Sequence, residues 1–199
     1  LGDILDAEKL SSVPIVASSM GGLWAVAFAS AYPNRVERLV LPGSPAGLTR
    51  VLPLQLRLVT LPVLKAVIRA AMSRPTRDSV RTFWKQVLVA RAERLENTFL
   101  DLSALSQQRN CRTWFSLIDR ALDFRGLKPE LLLTRHWKDL SVPTTLVMGD
   151  KDAFGGFEEA RAAARDNERV RLVWIANAGH APWFDEPLEV AHGIERALE

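Results

Sequence analysis

The chain is 199 residues long, 48% hydrophobic and 25% charged, with a formal net charge of +3. That balance suits one globular domain, or one domain with an insert, and excludes disorder, coiled coil and low complexity as descriptions of the whole. The single cysteine, Cys111, excludes an internal disulfide framework and a cysteine-based zinc cluster, and no apolar run approaches the roughly 18 residues needed to span a bilayer.

The predicted elements alternate. A short helix runs from about Asp3 to Leu10. Val13-Pro14-Ile15-Val16-Ala17, bounded by serines, reads as a buried strand. Small and apolar residues from Met20 to Ala31 form a helix that stops before Pro33, because the residue preceding proline is pushed out of helical space. Val36 to Leu41 is a second strand. From about Val51 to Arg135 the apolar spacing becomes helical, and Pro53, Pro62, Pro75 and Pro129 divide that stretch into separate helices. Strand grammar returns at Val142–Met148, followed by a helix at Phe157–Asp166, a strand at Val170–Ile175 and a closing helix at Pro187–Leu198. Strands alternating with helices predict an α/β fold: a mostly parallel sheet with flanking helices, plus an inserted helical cap. The expected division is a core of residues 1–46 and 140–199 and a cap of residues 47–139.

The first strand ends in Ala17-Ser18-Ser19-Met20-Gly21-Gly22, directly before a helix. A sharp strand-to-helix turn can hold a serine in a strained conformation with its hydroxyl exposed, provided the residues two before and two after it are small. Ser19 meets this with Ala17 and Gly21. Ser18 does not, because its counterparts are Val16 and Met20. Ser19 is therefore the candidate nucleophile, and the Met20 N–H at the start of the following helix is a candidate oxyanion donor. Taken alone, the two serines also suit a simple helix N-cap.

A serine nucleophile needs a base, and the base needs an orienting acid. The strand ending at Met148 runs into Gly149-Asp150-Lys151-Asp152, and the strand ending at Ile175 runs into Ala176-Asn177-Ala178-Gly179-His180. Asp152 is preferred as the acid, with Asp150 read as a turn residue closing onto backbone N–H groups. Asp166 precedes a strand, at the wrong edge of the sheet. His180, in a loop after a strand, is preferred as the base over His136 in the helical block and His192 in the closing helix.

With these segments in this order, the sequence resembles the α/β-hydrolase superfamily. The Ser19 turn resembles its nucleophile motif, Gly149–Asp152 its acid loop and Asn177–His180 its histidine loop. Pro182-Trp183-Phe184-Asp185-Glu186-Pro187 resembles the segment that follows that histidine. The resemblance implies a serine hydrolase with Ser19, Asp152 and His180 as its triad, acting on carboxylic esters by default. A carbon–carbon bond beside a carbonyl is the alternative, and a non-catalytic ligand-binding relative is a second. Dehalogenases and epoxide hydrolases of the superfamily place an aspartate where Ser19 stands. No cofactor or metal is implied, and the expected location is the cytoplasm.

The strands and oxyanion loop that the superfamily carries before its nucleophile do not occur in these residues, and the chain opens Leu1-Gly2-Asp3 without a Met. It reads as the second half of such a fold, with weak stability and weak activity expected of it alone. The helical block supplies a hint about substrate. Phe83, Trp84, Trp114 and Phe115 are candidates to roof an apolar pocket, or else to pack the cap on the core. Trp183, close behind the histidine loop, is a candidate to line the same pocket, or else to pack under that loop. Residues 44–140 hold 17 Lys and Arg against 8 Asp and Glu. These charges are dispersed among apolar helical positions rather than gathered into a stripe, so nucleic acid is not the expected partner; the apolar cap helices point to a small ester-like, apolar molecule.

Overall fold

A computed structural model describes all 199 residues, Leu1–Glu199. In chain order the sheet-forming part contains α1 (Gly2–Ala7), β1 (Val13–Val16), α2 (Met20–Ala31) and β2 (Val36–Pro42). The helical block follows with α3 (Leu54–Leu58), α4 (Pro62–Met72), α5 (Arg77–Val87) and α6 (Asn97–Ala121), a two-residue hairpin of β3 (Leu122–Asp123) and β4 (Gly126–Leu127), and α7 (Thr134–Asp139). The chain then returns to the sheet with β5 (Thr144–Gly149), α8 (Phe157–Asp166), β6 (Val170–Ile175), the single turn α9 (Pro182–Asp185) and α10 (Pro187–Leu198).

The sheet has the order β1-β2-β5-β6, and every pairing in it is parallel. Its two central strands are apolar on both sides, as a parallel sheet covered by helices requires. Leu39, Leu41, Leu146 and Met148 face one way. They pack with Leu23 and Val26 of α2, Trp137 of α7 and Ala160 and Ala163 of α8 in the largest core cluster. Val40 and Val147, one residue out of step, face the other way and pack against Val190 of α10. This period of two assigns each helix to its face.

β1 is an edge strand, paired with β2 alone. Its Pro14 lacks the N–H that a ladder would use, and the register slips between Val13 and Ile15. A bulge is one place where proline in a strand is accommodated. Beside that edge, Val16 and Trp24 are exposed. No helix is long and apolar enough to cross a membrane.

The helical block has small cores of its own. Val80, Val89, Leu95 and Leu100 form one, which Ala181 of the histidine loop joins. Val59, Cys111, Phe115 and Ile118 form another, with Cys111 as a buried free thiol packed among them. The hairpin Leu122–Leu127 interrupts a stretch whose spacing predicted continuous helix. The Leu127 N–H donates to Arg50 O at 3.0 Å, and Gly126, at φ +123°, lies so close to that carbonyl that a Cβ would sit 2.0 Å from it. A partner some 75 residues away in sequence thus fixes the turn, and local propensity does not reveal it.

Candidate active site

Ser19 sits between β1 and α2 with φ 52° and ψ −118°. It is one of three non-glycine residues at positive φ, a conformation that costs energy and persists only where the surroundings impose it. The surroundings here are tight. A Cβ on Gly22 would come within 2.8 Å of Pro45 Cβ, whereas one on Gly21 would make ordinary contact with Ala17 at 3.7 Å. The sequence pattern stresses Gly21, but the closer approach is at Gly22. In α2, Gly22 and Leu23 donate back to Ser18 O and Ser19 O. The earlier N–H groups, beginning with Met20, are the ones a helix start leaves free.

Asp152 and His180 are brought together by the loops after β5 and β6. His180 Nδ1 lies 3.0 Å from Asp152 Oδ2 and 3.1 Å from Oδ1, and both side chains are almost fully buried. Asp152 also accepts from the Phe154 N–H at 2.9 Å and from the Ser44 N–H at 3.0 Å. A carboxylate held by backbone donors on two sides is fixed in orientation, so the proton of the imidazole belongs on Nδ1 and the lone pair on Nε2. His180 Nε2 is buried and has no hydrogen-bond partner, so the structure forms the Asp152–His180 couple but no hydrogen bond between Ser19 and His180. The Phe154 ring stacks on the imidazole, with centroids 4.0 Å apart.

Close backbone contacts lock this corner. Gly43, at φ +75°, faces His180 O, which a Cβ would approach to 2.2 Å, and the same Cβ would lie 3.4 Å from Ser18 Oγ. A Cβ on Gly149 would meet Ala178 O at 2.2 Å. Asp150 accepts from the Ala178 N–H at 3.3 Å, tying the acid loop to the histidine loop. His136 lies on α7, His192 on the exposed side of α10, and Asp166 at the end of α8 beside Arg165, none of them at this corner.

Ser19 and Met20 open into a cavity of about 290 Å³ between the sheet and the helical block. Leu56, Phe83, Trp114 and Leu117 line its helical side, Phe154 its acid-loop side, and no Lys, Arg, His, Asp or Glu lines it. The aromatic residues of the block divide. Phe83 and Trp114 face the cavity. Phe115 is buried in its own cluster, and Trp84 packs against Phe99 and Phe184 at 4.8 and 5.1 Å. Trp183 is not among the lining residues. It lies on α9, 37% exposed, with its ring beside Phe184. α9 starts at Pro182 and turns Trp183 outward while burying Asp185.

Sequence reasoning missed Asp185. Its side chain is fully buried and accepts from the N–H groups of Ala90, Arg91 and Gly179 at 2.8–2.9 Å. Arg94 donates to its carbonyl at 2.5 Å, and the Ala181 N–H donates to Leu88 O at 2.7 Å. One carboxylate therefore joins the helical block to the residue next to the candidate base. The available signal was an acid set among Trp183, Phe184 and Pro187, a place where a carboxylate survives burial only if it is hydrogen-bonded.

An uncharacterized protein of Mycobacterium tuberculosis is 25% identical over 202 residues, covering 99% of this chain and 59% of the relative. A 2-hydroxy-6-oxononadienedioate/2-hydroxy-6-oxononatrienedioate hydrolase of Paraburkholderia xenovorans is 25% identical over 189 residues, covering 92% and 61%. Among solved structures, a meta-cleavage product hydrolase from Pseudomonas fluorescens IP01 superposes with a TM-score of 0.69 at 20% identity, covering 98% of this chain and 66% of that one. The chain thus spans about three-fifths of the length of these curated relatives. The sequence model of the alpha/beta hydrolase family matches residues 3–192, nearly the whole chain, and the chain belongs to that family.

Proposed function

We propose that the protein is a serine hydrolase that opens the acyl bond of an apolar, uncharged substrate, a carboxylic ester foremost. Ser19 Oγ attacks the carbonyl carbon. His180 Nε2 takes the serine proton and later returns it to the leaving oxygen, and Asp152 holds the imidazole and stabilises its charged form. The Met20 N–H, at the positive end of α2, donates to the oxyanion. Water then cleaves the acyl-enzyme. Residues 47–139 act as the cap, and the cavity beneath them receives the acyl chain.

The observation that carries this reading is the strained Ser19 on the floor of an apolar cavity whose neighbouring corner holds the buried Asp152–His180 couple. The chemistry of the lining favours a neutral substrate. Burying an anion without a partner is costly, and this chain contributes no cation to the cavity.

A second reading has support from the relatives. The Paraburkholderia xenovorans protein is named for a dienedioate, and the same three side chains would serve cleavage of a carbon–carbon bond beside a carbonyl. p-Nitrophenyl esters of increasing acyl length distinguish the two. The ester reading predicts that kcat/KM rises as the chain lengthens until the cavity is full, by about fourfold per buried methylene. A flat or falling series, with turnover of an oxo-dienoate instead, supports the second reading.

A further inference from the structure

The chain contains no Asp or Glu between Glu37 and Asp78, while Arg38, Arg50, Arg57, Lys65, Arg69, Arg74 and Arg77 all fall within that interval. Lys65 is paired with Asp119 on α6, Arg50 with Asp123 and Arg77 with Asp101. Arg69 and Arg74 have no acidic partner and are exposed.

The same stretch carries an outward apolar face. No residue of α4 is buried. Its Ile68 and Met72 lean on the Phe115 cluster, while Val63, Val67, Ala70 and Ala71, at three- and four-residue spacing, share the exposed side. Val63 is 77% and Val67 62% exposed, with Val51 and Leu54 exposed just before them. At its start this strap forms part of the cavity wall, through Leu52 and Leu56. A helix with one apolar face and cationic flanks has the composition of an element that lies in a lipid interface.

We propose that the strap from Val51 to Arg74 docks the protein on an anionic lipid surface, with Val63 and Val67 entering the acyl boundary and Arg69 and Arg74 meeting headgroup phosphates. A second copy of the chain is a poor occupant. A two-fold contact through this face would gather the unpaired arginines of both copies in one interface, and the strap holds no carboxylate to meet them. A purely polar anion would leave the valines uncovered. Docking does not depend on the hydrolase reading, so Ser19→Ala binds as the parent does.

The test is co-sedimentation with vesicles of phosphatidylcholine, with and without about one-third phosphatidylglycerol. The expected result is binding to the mixed vesicles that falls with added salt. Val63→Asp with Val67→Asp abolishes it, and Arg69→Glu with Arg74→Glu weakens it by about tenfold or more. Leu188→Asp on α10, 73% exposed and far along the chain from the strap, leaves it unchanged. All of these positions are exposed, so the circular dichroism spectrum stays that of the parent. The inference is overturned if the folded protein binds neither vesicle, or if the double aspartate variant binds undiminished. It is equally overturned if that variant instead dissolves a dimer that forms without lipid.

Discussion

The sheet layer and the helical block are built under different constraints, and they give up their chemistry differently. In the layer, each central-strand residue is committed to one of two covered faces by the period of two, and the chain must leave each strand at its C-terminal end. The three candidate catalytic residues all lie on those exits. In the block, helices pack in small separate clusters, and α4 buries none of its residues fully. A layer so constrained fixes the strand exits that carry these residues. A block so loosely committed is free to vary the side chains that line the cavity, whereas it meets the histidine loop mainly through backbone: Leu88 and Val89 against Gly179, and Ala90 and Arg91 on Asp185.

That contrast can be broken first at the layer. Ser19→Ala or His180→Ala should reduce ester turnover by about 10⁴-fold or more, and Asp152→Asn by about 10³–10⁴-fold, while the melting temperature moves little for Ser19→Ala. Loss of folding on Ser19→Ala would assign the residue to structure instead. The join comes next. Asp185→Ala strands one buried and two half-buried N–H donors and should cost about 3 kcal/mol of stability, measured by urea unfolding. It should also lower kcat more than it raises KM, since Gly179 next to the base loses its anchor. A change under 1 kcal/mol would mean that the block and the histidine loop are held together by apolar packing alone.

Smaller effects sharpen the picture. Gly22→Ala forces a Cβ to 2.8 Å from Pro45 and should cost about 1–3 kcal/mol, where Gly21→Ala is nearly neutral. Phe83→Ala enlarges the cavity from the block side. It should shift the preferred ester toward longer acyl chains by about tenfold in relative kcat/KM, with no loss on short ones. The smallest effect lies within the block. The hydrogen bond from Arg77, with its charge, holds the Asp101 carboxyl below its ordinary value. A depressed acid contributes stability above its unfolded pKa and loses it as pH falls through the folded one. Asp101→Asn should therefore narrow the small gap between melting temperatures at neutral pH and below about pH 4, and it should be barely detectable because the pair is exposed.

Much of the layer is legible in the sequence. β6, α2, α8 and α10 fall at Val170–Ile175, Met20–Ala31, Phe157–Asp166 and Pro187–Leu198, where apolar runs and prolines mark them. What is illegible depends on partners distant in the chain. The Ser44 N–H that fixes Asp152 comes from 108 residues away, and any residue except proline could donate it, so no side-chain signature exists. The Leu122–Leu127 hairpin depends on the carbonyl of Arg50. Trp183 and Phe184 are adjacent and both aromatic, and only the turn of α9 decides that Phe184 packs inward against Trp84 and Phe99.

The central claim is that Ser19 is a nucleophile served by His180. It is tested most directly by reacting the protein with a fluorophosphonate and locating the adduct by peptide mass. The account predicts an adduct on Ser19 that disappears in His180→Ala. A folded protein that takes no adduct, or takes it on another serine, would contradict it.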